Sequence, residues 1–189
     1  MNDDVKDNLA VRVAADPQLQ KLFTRLKDPQ YYIPNDYETT LKQIGDIRPT
    51  EKGTLVSKVT TPEDLQTQLR LLSGVQNCLD HTHELNTSLY ILQAKWKELY
   101  NAGLQIVMLN YFNELNDLKD GVRKIVVSIA LQPIQTGIDR LEHLIELGER
   151  SHKHLTATNW NVKKASEIIQ EYLSIFKYGS SVRLTDTDI

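Results

Sequence analysis

Over most of residues 62 to 178, apolar residues recur every three or four positions, the spacing that lines one face of an α-helix. One run takes in Leu71, Val75, Cys78, Thr82, Leu85, Leu89, Leu92, Trp96, Leu99, Gly103 and Ile106. A second takes in Ile134, Ile138, Leu141, Ile145, Gly148, His152, Leu155, Asn159, Val162, Ser166, Ile169, Leu173 and Phe176. Most members of each run are apolar, which predicts two coiled-coil-like seams. The middle of the second is softened by Gly148, His152, Asn159 and Ser166. Polar seam residues of that kind often set register and partner choice at a cost in stability. Once enclosed, they also need hydrogen-bond partners. Leu92 lies in the seam on every arrangement considered, so a charge there is expected to cost several kcal/mol.

Helix boundaries follow from the breakers. A first helix is expected over about 3 to 14. Asp16-Pro17 offers an N-cap and a proline at the first helical position, opening a second helix that Asp28-Pro29 stops. Ile33, lying before Pro34, is pushed towards extended backbone. Asn35 and Glu38 have the spacing of a capping box for a short helix ending at Gly45. Residues Gly53 to Thr60 alternate and are β-branched, and they form the one convincing strand candidate. Thr61-Pro62-Glu63-Asp64 then opens the long helical region. Breaks within that region are expected at Asn101 to Gly103, Asp120-Gly121 and Gln132-Pro133, with a fourth near Thr156 to Asn159. The stretch Leu104 to Leu131 is apolar on more than one face, so it is expected to be enclosed by neighbours.

The fold class implied is all-α: a long-helix antiparallel bundle or a coiled-coil hairpin turning near Asp120-Gly121. The organisation expected is an irregular N-terminal arm over 1–60, a helical core over 61–178 and a polar tail over 179–189. A lone hairpin buries only a narrow seam, which favours further chains around it.

Composition narrows the function classes. Hydrophobic residues make up 40% and charged residues 25%, with 8 glycines and 6 prolines, too few turn formers for a sandwich or barrel. A net charge of −3 gives no global attraction to nucleic acid or anionic lipid. Met1-Asn2-Asp3-Asp4 has the wrong charge for a signal peptide, and apolar stretches such as Ile125 to Leu131 are far too short to span a bilayer. A soluble intracellular protein with no membrane partner is expected. The single cysteine, Cys78, lies on the first seam and reads as a small buried hydrophobe rather than a nucleophile.

The phosphate-cradling glycine loops, CxxC, HExxH and GxSxG are all absent from the sequence, so no catalytic residue and no cofactor is assigned. His81-Thr82-His83 and His152-Lys153-His154 are paired two apart, which on a helix separates the rings by about 200° and prevents chelation. Asp80-x-x-His83 and Glu149-x-x-His152 retain the carboxylate-then-histidine spacing of metal-binding bundles. In a three-helix arrangement with parallel first and third helices, Asp80 and Glu149 would stand about 4.5 Å apart in height. The middle helix would bring Glu114 to a similar level. The default for these weak candidates is solvated or satisfied side chains.

Trp160, Lys163, Lys164, Lys177, Tyr178 and Arg183 interleave rings and cations, as single-stranded nucleic-acid binding requires. The local basic surplus is small, so nucleic acid is an alternative rather than the favoured partner. The favoured expectation is a non-catalytic structural or adaptor protein that forms homo- or hetero-oligomers with protein partners. A helical metal-binding bundle ranks last.

Overall fold

A computed structural model describes residues 3–45 and 62–183. The strand candidate Gly53 to Thr60, the cap residue Thr61 and residues 184–189 lie outside the described residues. Every regular element among the described residues is helical. These are α1 (Asp3–Ala14), α2 (Pro17–Arg25), a short 3-10 turn (Pro29–Tyr31), α3 (Tyr37–Gly45), α4 (Pro62–Asn110), α5 (Phe112–Asn116), α6 (Asp120–Ala130) and α7 (Gln132–Arg183). The two long helices hold 49 and 52 residues. No helix among the described residues is long and apolar enough to cross a membrane.

The chain divides into two compact units: Met1–Tyr37 with Asn86–Glu146, and Glu38–Leu85 with Leu147–Ile189. In the first unit α4 and α7 are antiparallel. Gln93 Nε2 donates to Glu142 Oε1 at 3.2 Å, while Trp96, further up α4, meets Gly137, further down α7. Helix α1 packs on α6. Its core gathers Val13, Leu19, Leu22, Leu89, Val107, Leu115, Val126, Leu131, Ile134, Leu141 and Leu144. In the second unit α4 and α7 are again antiparallel, with Gln76 opposite Asn159 and His83 opposite His152. There Ile44, Val75, Leu79 and Leu155 form a buried cluster with Leu71, Cys78 and Leu85 against it. Ser151 Oγ donates to the Leu41 carbonyl at 3.0 Å, which ties α3 to α7.

The expected breaks need correction. Asn101 to Gly103 does not end a helix, because α4 continues to Asn110. Glycine inside a helix costs only about 1 kcal/mol relative to alanine, and Gly103 serves packing instead. A Cβ there would stand 2.8 Å from Leu131 Cδ2 and 3.2 Å from Leu22 Cδ2. Nor does α7 break near Thr156 to Asn159, where Thr156 Oγ1 bonds back to the His152 carbonyl of its own helix at 2.9 Å. Helix α7 also runs past 178 to Arg183, through the start of the expected polar tail.

The actual end of α4 is set from a distance. Asp16 caps α2 as expected, its Oδ1 accepting from the amides of Gln18 at 2.7 Å and Leu19 at 3.2 Å. Its other oxygen accepts from Asn110 Nδ2 at 3.1 Å and Tyr111 Oη at 3.2 Å. Tyr111 leaves the helix with φ −125° and ψ 21°. Burial works to raise the Asp16 pKa, but these donors outweigh it and hold the carboxyl below its ordinary value. Burial, then the charge of Asp16, pushes the Tyr111 hydroxyl up.

A depressed carboxyl stabilises the fold above its unfolded pKa of about 4, and that contribution fades as pH falls through the lower folded value. Asp16→Ala should therefore cost about 2 kcal/mol at pH 7, a lost cap plus charge-assisted bonds. Asp16→Asn, which keeps a capping oxygen, should lose less stability than wild type between pH 5 and about pH 2 in urea titrations. Equal acid losses in the two proteins would mean that the Asp16 carboxyl is not depressed.

Two further expectations shift. Helix α3 begins at Tyr37, so Asn35 lies outside the cap position, and its Oδ1 accepts from Arg140 Nη2 at 3.0 Å. The stretch Leu104 to Leu131 is not one enclosed helix. It is cut at Tyr111 and again over 117–119, where Arg123 Nε donates to the Leu115 carbonyl at 3.0 Å. Each piece turns one side inward through Val107, Leu115, Val126 and Ala130, and leaves Leu109, Phe112 and Ile125 exposed.

Candidate functional site

Of the expected seam residues, Val75, Leu89, Trp96, Leu99, Ile138, Leu141, Ile145, Leu155, Val162 and Ile169 are buried. Leu71, Leu85, Leu92, Ile106 and Leu173 are half-buried, and the side chain of Phe176 lies outside the described residues. Leu79, Leu144 and Ala165 are buried beside the seams; a single 3-4 track omits the flanking position that a broader helix face also covers. Trp96 is core rather than a stacking platform, and its Nε1 donates to the Tyr31 carbonyl at 3.1 Å.

The polar seam positions divide into two kinds. Thr82 Oγ1 donates to the Cys78 carbonyl at 2.7 Å, and Ser166 Oγ donates to the Val162 carbonyl at 2.9 Å. By contrast, the seam atoms His152 Nδ1 and Asn159 Oδ1 are buried and make no hydrogen bond, and the same holds for Asn86 Oδ1 beside the first seam. An unmet buried acceptor costs about 1–3 kcal/mol.

The metal candidates land differently from the parallel-helix expectation. Helices α4 and α7 are antiparallel in the second unit, with Gln76 opposite Asn159 and His83 opposite His152, rather than parallel. The antiparallel pairing still faces His83 with His152, ring centroids 6.5 Å apart and planes at 47°. Asp80 is exposed and accepts from Gln76 Nε2 at 3.0 Å, and Glu149 is exposed on α7. Glu114 belongs to the first unit, where it pairs with Arg12 at 3.0 Å, and so it is not part of this group. Among the described residues, no three His, Cys, Asp or Glu side chains gather in a way that could hold a metal ion.

In the first unit a groove of about 640 Å³ opens between Ala14, Phe23, Ile129 and Pro133. Gln20, Gln132 and Thr136 are its polar members, so its lining carries no group able to act as acid or base at neutral pH.

The third constellation lies on the outward side of α7. Trp160 is 62% exposed, Ile168 39% and Ile175 68%. At 100° per residue, Ile168 and Ile175 project within about 80° of Trp160, whereas Leu155, Val162 and Ile169 project to the opposite side. This part of α7 therefore carries two apolar stripes, one buried and one facing solvent. The signal in the sequence for Ile168 and Ile175 is their offsets of eight and fifteen from Trp160, both within about 80° of whole helical turns. Lys163 and Lys164 flank Trp160 and are exposed. Lys164 Nζ bonds Glu167 Oε2 at 2.9 Å. That bond and charge, with Glu171 adding to it, raise the Lys164 pKa, and the same bond lowers that of Glu167. The side chains of Lys177, Tyr178 and Arg183 lie outside the described residues.

No known protein family, curated protein or solved structure matches the chain. The functional reading rests on this geometry.

Proposed function

We propose that the chain is a soluble, intracellular, non-catalytic structural or adaptor protein that acts through protein–protein contacts and oligomerises. The observation that carries the reading is the solvent-facing stripe of Trp160, Ile168 and Ile175 on α7. A helix apolar on two opposite sides is ordinarily enclosed on both, and exposed apolar patches mark interaction surfaces. The buried, unbonded atoms of His152 and Asn159 in the same unit add to it. Polar interruptions of this kind fit a seam selected for pairing specificity rather than for stability alone. Sedimentation equilibrium of the purified chain should give a mass above the 21.7 kDa protomer. The protomer mass at every concentration up to about 1 mM, a range that covers even weak association, would overturn the reading.

Single-stranded nucleic-acid binding is the second reading, supported by the exposure of Trp160 beside Lys163. It is weakened by the engagement of Lys164 with Glu167, which leaves less free positive charge for a phosphate. Titration of labelled oligonucleotides at low salt, followed by Trp160 fluorescence, tests it. No quenching and no salt-dependent binding would remove it. The metal reading retains only the facing pair His83 and His152.

A further inference from the structure

From the order of residues along the outward stripe of α7 we infer that its occupant is a second copy of the same chain, packed antiparallel about a two-fold axis at Ile168. The inference rests on the oligomer reading above and names its surface. The stripe reads Trp160, Lys164, Ile168, Glu171, Ile175, all exposed and all within an arc of about 80°. Read in the reverse direction it meets its own complement. Trp160 stands opposite Ile175 of the second copy, Lys164 opposite Glu171, and Ile168 opposite Ile168.

The heights agree as well as the chemistry. Measured from Ile168 at 1.5 Å per residue, Trp160 is about 12 Å and Ile175 about 10.5 Å away, while Lys164 is about 6 Å and Glu171 about 4.5 Å away. Each facing pair is thus level to about 1.5 Å, well within side-chain reach. A parallel arrangement would set Lys164 against Lys164 and Glu171 against Glu171, so charge selects the antiparallel one. An isologous contact of this kind closes on itself and yields a dimer rather than a filament. Glu167 lies at the edge of the stripe, and its charge is met by its own Lys164 at 2.9 Å. Lys164 can therefore bridge Glu167 in its own chain and Glu171 across the axis. The stripe is short, so the dimer should be of the weak, transient kind.

The test is sedimentation equilibrium of the full chain and three exposed-site variants, with circular dichroism to confirm that each remains folded. Ile168→Glu places two carboxylates across the axis and should raise Kd about a hundredfold. Lys164→Glu and Glu171→Lys each turn two attractive pairs into two repulsive ones, and each alone should weaken the dimer about tenfold. An equimolar mixture of those two should recover wild-type association, because every facing pair in the mixed dimer is again of opposite sign.

A wild-type dimer with all three variants unchanged would overturn this face while leaving the oligomer reading intact. Weakening by Ile168→Glu without recovery in the mixture would overturn the antiparallel register. A wild-type monomer would overturn both.

Discussion

Replacing Gly137 with alanine should destabilise the protein by about 1–3 kcal/mol, despite the intrinsic helix preference of alanine over glycine of about 1 kcal/mol. A Cβ at 137 would overlap Trp96 Cζ3, Cη2 and Cε3. The indole cannot simply swing aside. It is 7% exposed, and its Nε1 is fixed to the Tyr31 carbonyl at 3.1 Å. Either the ring gives up that bond and its packing, or α4 and α7 move apart in the first unit. Chemical denaturation measures the loss directly. The double variant Gly137→Ala with Trp96→Leu should recover part of it relative to the sum of the single changes, because the smaller side chain makes room. A Gly137→Ala protein as stable as wild type would show that the helices do not approach this closely.

Leu89→Asp should be the more damaging of two neighbouring charge insertions, at roughly 3 kcal/mol or more. Leu89 is fully buried, at 0% exposure, so the carboxylate would lose its hydration in an apolar surround. Leu92, the position that the seam pattern singles out, is only half-buried, and an aspartate there can turn towards water. Its cost should be clearly smaller. Melting temperatures of the two variants, compared with wild type, decide the point. A Leu92→Asp protein less stable than Leu89→Asp would invert the register of α4.

The contrast between Leu89 and Leu92 shows what a periodic pattern resolves. Spacing identifies the helix and the side that faces inward, but it does not rank positions within that side. The ranking depends on which neighbour fills the space opposite, and the neighbours come from far along the chain. Asn101 to Gly103 and Thr156 to Asn159 illustrate the same point for helix ends. Both look like stops, because their local preferences are poor. Yet the penalty is about 1 kcal/mol for Gly103 and about 0.7 kcal/mol or less for each threonine or asparagine, small against the burial of Leu99 and Val107 on either side of the first, or Leu155 and Val162 around the second. The true end of α4 looks innocuous in sequence, since Asn110 and Tyr111 are drawn to a carboxylate almost a hundred residues earlier.

The outward stripe was legible in principle. In the sequence Trp160 stands out by its ring and its lysines, whereas Ile168 and Ile175 lie outside the seam and nothing local ties them to it. In the histidine constellation, the two residues that meet, His83 and His152, were among those named from sequence. The direction of the helices that brings them together was not. An antiparallel pairing matches 83 with 152 as readily as a parallel one would have matched other positions, and the direction follows from how the segments between Asn110 and Gln132 fold back, which no local pattern records.

By itself the sequence determined the all-helical class of the described chain, the starts of α2 and α4 at proline, and the inward side of the two long helices. Each is a local matter: a cap, a fixed φ or a repeat near 3.6 residues. The tertiary structure alone decided where α4 ends, that Gly103 is a contact point rather than a break, that Gly137 lies against Trp96, and which apolar residues of α7 remain facing solvent. Those outcomes depend on atoms brought together from distant segments, and packing energies there exceed the local preferences that a sequence pattern records.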